Sequence, residues 1–164
     1  MPEPALRGAL RLNTVLNVLT FTGFFGARLI LPLYAIARGA PVYAIGLMAA
    51  LMWVFPLLIA WPVGRIADRK GPHGLLALGF ASSAAGALVP SVFDTLPALY
   101  VAALLFGLSI AFSDGVQQGV LAQLSTQETR TRNVANYTLF GGATTFIGPL
   151  LGGVAIDHAG SAMS

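Results

Sequence analysis

The residues able to do chemistry in this 164-residue chain are few and widely spaced. Asp114 is followed at helical spacing by Gln117 and Gln118. A carboxylate on such a polar face is a candidate to take up and release a proton. Arg28 lies within another long apolar run, and stepping back about 100° per residue puts Phe24, Thr20, Asn17 and Asn13 near its face. That polar and aromatic stripe could wall a cavity for a polar or anionic solute. An ionised side chain in the middle of a bilayer costs about 2.5–3.5 kcal/mol on insertion scales, so it usually faces a cavity or a partner. Each residue also has a plainer reading. Arg28 could snorkel to the membrane surface, and Asp114 could be reached by water. A direct pair is not expected, because the two lie toward opposite ends of their helices. Enzyme constellations are missing: the chain has no cysteine, no cluster spaced to hold a metal, and no cofactor signature. Ser109 stands in Gly-Leu-Ser-Ile, without the Gly that an intramembrane serine protease would want next.

The composition specifies the elements that must carry these residues. Hydrophobic residues make up 56% of the chain and charged ones 9%, against roughly 25% charged in soluble domains. A bilayer core of roughly 30 Å needs about 20 apolar residues per helix. Five such segments are predicted, over residues 12–36, 42–63, 74–93, 98–121 and 135–156. The expected fold is therefore an all-α polytopic membrane protein with no separate soluble domain. With the N-terminus inside, the inner segments hold Arg7, Arg11, Arg65, Arg69, Lys70, Arg130 and Arg132, and the outer loops hold only Arg38. That asymmetry predicts a cytoplasmic N-terminus, with the chain multi-pass in the cell (inner or plasma) membrane. Basic residues confined to loops set orientation and do not point to nucleic acid. The first segment is too long for a signal-peptide core and is read as retained. On the fourth segment, Ala103, Gly107, Ala111, Gly115 and Gly119 recur every four residues and predict a packing ridge.

Between the second and third segments, Gly64-Arg65-Ile66-Ala67-Asp68-Arg69-Lys70-Gly71 concentrates charge. It is expected to be an aqueous loop joining two spans. This stretch resembles the loop between the second and third helices of the major facilitator superfamily, G-x-L-A-D-R-x-G-R-R/K. Gly64, Asp68, Arg69 and Gly71 match, Ile66 replaces Leu, and Pro72 and His73 replace basic residues. In the fifth segment, Gly148-Pro149-Leu150-Leu151-Gly152-Gly153 resembles the G-P-x-x-G-G motif of that superfamily's antiporter branches. There Pro149 removes a backbone donor, and Gly148, Gly152 and Gly153 allow close contact. Thr144 stands where the family has a further Gly. Ala103 stands where the family's fourth helix has an Arg, so the proton-relay role of that Arg does not carry over.

The resemblance implies a secondary transporter moving a small-molecule solute across the lipid bilayer, most like efflux antiporters, with protons as the candidate coupling ion. It implies that Gly64, Asp68, Arg69 and Gly71 form a conformational gate on the inner side. It also implies that the first and fourth helices line the central cavity, which makes Asn17, Phe24, Arg28, Asp114 and Gln118 the candidate cavity residues. Such transporters have two six-helix halves with the site between them. The five segments look like part of an N-terminal half, so a truncated or fragmentary permease lacking its C-terminal half is expected. The alternative is a small membrane interaction protein that assembles with or modulates a separate transporter chain.

Overall fold

The computed structural model describes the backbone of residues 3–162 and the side chains of residues 7–59 and 61–154. Within them the chain is all helical: α1 (Glu3–Ala37), α2 (Val42–Lys70), α3 (His73–Val92), α4 (Leu96–Leu124) and α5 (Arg130–Ala162). Four of these are long and apolar enough to cross a membrane, over Arg7–Ala37, Val42–Ile59, His73–Val92 and Leu96–Leu124. These four are found among the described residues, which cover α5, the longest helix after α1, only as far as Val154 with side chains.

Helices also extend past the predicted spans. α1 begins at Glu3, ahead of the span predicted from residue 12. The charged stretch read as an aqueous loop is helical through Lys70, leaving only Gly71 and Pro72 outside. Nothing in Gly64–Lys70 breaks a helix, and Arg69 and Lys70 in the last turn oppose the negative end of the helix dipole. The helix stops at Gly71, whose φ of 84° suits a residue without a Cβ. Its N–H closes the turn on the Ala67 carbonyl. Between α4 and α5 only residues 125–129 are outside a helix, and there the Thr126 and Thr129 hydroxyls bond each other at 2.9 Å.

α4 is the hub. It packs along α1, α2 and α3, whereas α5 docks on α1 and scarcely meets α4. The core formed around it includes Phe24, Leu31, Met48, Met52, Leu99 and Phe106. In lipid, helices gain little from hydrophobic association and rely on close packing through small residues. At Gly107 a methyl group would lie 2.5 Å from the Met52 carbonyl oxygen, so α2 and α4 touch backbone to backbone. Likewise, a methyl on Gly79 would strike Ser113 Oγ at 2.3 Å. Of the predicted α4 ridge, Ala103, Gly107 and Ala111 are buried, but Gly115 is exposed and neither it nor Gly119 has a neighbour within 4 Å of a would-be Cβ. A four-residue step overshoots a turn by roughly 40°, so the series winds off the contact face after three members.

This contrast is testable by substitution. Gly107→Ala is expected to destabilise the folded bundle by about 1–3 kcal/mol, the range for overpacking a tight contact. Gly115→Ala is expected to be neutral or stabilising by up to about 1 kcal/mol through helix propensity. Reversible unfolding in mixed micelles measures both.

Candidate functional site: a polar junction between three helices

The predicted stripe on α1 exists, and it faces inward. Asn13, Asn17, Thr20 and Phe24 are all buried. Phe24 lies edge-on to Trp53 of α2, with ring centroids 5.6 Å apart, so it fills the core between helices. Arg28 leaves the stripe. The buried positions continue through Ala27, Leu31 and Ala35, while Arg28 is exposed. It lies about 40° past Phe24 around the helix. Among the described residues it has no hydrogen bond or ion pair.

Where the stripe meets α4, polar groups satisfy one another. Asn13 Nδ2 donates to the Gln117 carbonyl oxygen at 3.3 Å, and Gln117 Nε2 donates to Thr20 Oγ1 at 3.2 Å. Thr20 in turn donates to the Leu16 carbonyl at 2.8 Å. One turn along α4, Asp114 accepts from the Tyr137 hydroxyl of α5 at 2.9 Å and from Gln118 Nε2 at 3.0 Å. Tyr137 is buried, Asp114 is half-buried and Gln118 is exposed, so the carboxylate lies at the mouth of the junction. No cation pairs with Asp114 among the described residues. Asn17 lies between the two groups, beside Tyr137 and facing Gly141. It is fully buried, and neither amide atom has a well-formed hydrogen bond. Since most buried polar atoms are partnered, this amide stands out.

The resemblance grouped Asn17, Asp114 and Gln118 as candidates, but not Tyr137. Tyr137 begins a stripe on α5 that continues through Gly141, Thr144, Gly148 and Gly152, all buried or half-buried. The four-residue and three-residue steps of that stripe were the signal that could have found it. The G-P-x-x-G-G motif supplies its far part. A methyl on Gly148 would lie 2.8 Å from the Thr22 carbonyl oxygen and 2.9 Å from the Gly26 nitrogen, and one on Gly152 would meet Ile30 at 3.1 Å. Gly153 has nothing within 4 Å of a would-be Cβ. Pro149 is inside the helix. This motif is thus the seam between α5 and α1.

At the end of the bundle where α2 turns into α3, Asp68, Arg69 and Lys70 are exposed. Asp68 lines a small cavity of about 120 Å³ with Gly71, Pro72, Val116 and Gln123, at the start of α3. On the same helix Arg65 stacks over the Trp61 ring at 4.0 Å. No group of three or more His, Cys, Asp or Glu able to hold a metal occurs among the described residues.

Residues 14–163 match the model of one protein family, the Major Facilitator Superfamily. No curated protein and no solved structure gives a significant match.

The Asp114–Tyr137 bond is the only direct side-chain bond described between α4 and α5. Asp114→Asn and Tyr137→Phe are expected to show a coupling energy of about 0.5–2 kcal/mol in a double-mutant cycle of unfolding free energies. Gln118→Leu, at an exposed position, should change stability by less than either.

Proposed function

The chain belongs to the major facilitator superfamily, a family of membrane transporters, and from that premise we propose that its five helices form one wall of an alternating-access path for a small solute. Transporters of this kind bind substrate near the bilayer midplane at the interface of two helical repeats. On this reading α5 is a fifth span, and the exposed α1 and α4 edges bearing Arg28, Asp114 and Gln118 face the path. Arg28 then attracts anionic or polar groups of the solute, while Asn17 and Phe24 support the wall from behind. The concentration of basic residues at one end supports a cytoplasmic N-terminus in the cell membrane. Gly64, Asp68, Arg69 and Gly71 form the gate at that end, where Asp68 is open to a facing bundle. Large apolar side chains on α2, such as Leu57 and Trp61, are well exposed and support a second bundle opposite.

Efflux by proton-coupled antiport is the mode this geometry fits best. The observation that carries it is Asp114, a carboxylate without a cation, held by Tyr137 and Gln118 at the mouth of a buried polar junction. When ionised it accepts both bonds. Protonation removes an acceptor and loosens α4 from α5, which gives a link between proton uptake and helix movement.

Two measurements test this. Cells expressing these residues alone should accumulate a fluorescent efflux substrate as empty cells do, because one wall encloses no path. In the complete two-bundle transporter reconstituted in liposomes, Asp114→Asn should abolish the response of efflux to an imposed pH gradient while leaving solute exchange measurable. Undiminished gradient-driven efflux in that variant would remove Asp114 from the coupling.

A further inference from the structure

α1 and α3 line an apolar groove of about 590 Å³, with Leu99 and Phe106 of α4 and Gly148, Leu151 and Gly152 of α5 completing its wall. α1 and α3 hardly meet along their length. They are joined at the end away from the basic residues by three side chains. Arg38, just past α1, forms an ion pair with Asp94, just past α3, and donates to the Asp94 carbonyl oxygen at 2.9 Å. A second guanidinium nitrogen donates to the Tyr34 hydroxyl at 2.8 Å. Tyr34 completes the ring by donating to Asp94 Oδ1 at 2.8 Å. The guanidinium also lies 4.3 Å from the centre of the Tyr34 ring, and Tyr34 itself lines the groove.

We infer that Tyr34, Arg38 and Asp94 form a latch that positions the far end of α1 against α3 and so fixes the width of the groove and the direction of the α1 segment carrying Arg28. A lone exposed ion pair contributes little. Here one guanidinium makes several directed bonds at once, and a planar fork loses little freedom in doing so. Both turns are pinned locally as well. Gly39, at a φ of 73°, and Pro41 end α1, and the Phe93 N–H closes α3 on the Val89 carbonyl. The latch therefore joins two stiff ends. Arg38 first, then the Tyr34 hydroxyl, hold the Asp94 carboxyl below the usual carboxylate range. The carboxylate's part in the latch is present at neutral pH and is lost only as pH falls through that lowered value.

The chain has no cysteine, so spin labels can be placed without background at Ile36 and Val92, both exposed. In the full chain in liposomes, double electron–electron resonance should give a narrow distance distribution. Arg38→Asp and Asp94→Arg should each broaden it at least twofold, and the double exchange should narrow it again. Tyr34→Phe, which removes only the hydroxyl, should give an intermediate width and keeps the test open if a charge variant fails to fold. A second label pair across α2 and α4 should not change in any variant. A distribution unaltered by both single exchanges, or one as broad in the double exchange as in the singles, overturns the latch.

Discussion

In a bilayer the oily side chains of a helix are as well solvated by lipid as by another helix, so what holds this bundle together is how closely its backbones approach. Gly107 lets α4 lie on the Met52 carbonyl of α2, and Gly148 lets α5 lie on Thr22 and Gly26 of α1. With α2 and α5 held this closely on α4 and α1, polar side chains can reach between neighbouring helices. The Gln117–Thr20 bond spans 3.2 Å between α4 and α1, and the Tyr137–Asp114 bond spans 2.9 Å between α5 and α4. The polar junction is therefore a consequence of small-residue packing. Glycine sets the distance, and the amides, hydroxyls and carboxylate use it.

That order also explains why so polar a cluster persists among apolar helices. Asn13, Thr20 and Gln117 are each buried, and leaving such groups unpaired costs about 1–3 kcal/mol apiece. Their mutual bonds cancel most of that cost. Asn17 is where this falls shortest: both of its amide atoms lack a well-formed bond, whereas Gln117 lacks one only at Oε1. An amide held without a firm partner beside Tyr137 and behind Asp114 is a place where a small shift of α5 changes hydrogen bonding at little cost. Asn17, Tyr137 and Asp114 thus lie together where α5 meets α1 and α4.

Much of this was legible in the sequence, and the failures have physical causes. Alternation of three- and four-residue steps marked Asn13, Asn17, Thr20 and Phe24 as one face, and they are one. Arg28 was assigned to that face because repeated four-residue steps look collinear over two turns, although each drifts by about 40°. The same drift removed Gly115 and Gly119 from the α4 ridge. The charged stretch at Gly64–Lys70 was read as loop because charge marks where a chain leaves the hydrocarbon. It does not mark where a helix ends, and here the helix ends at the first residue needing positive φ. The Tyr34–Arg38–Asp94 cluster had no local signature at all. Its members are up to sixty positions apart, and only the packing of α1 and α3 beside α4 brings them together.

α5 shows how the two constraints interact within one helix. Its contact stripe, Tyr137, Gly141, Thr144, Gly148 and Gly152, must be small or hydrogen-bonding to lie against α1. Such residues are poor in apolar surface, so this face adds little to the helix's hydropathy. Its other side presents Phe146, Leu150, Leu151 and Val154, all well exposed. One face of α5 is thus shaped for a neighbour, while the opposite face is apolar. A window that averages around the helix cannot separate the two, whereas the register of glycine and threonine can.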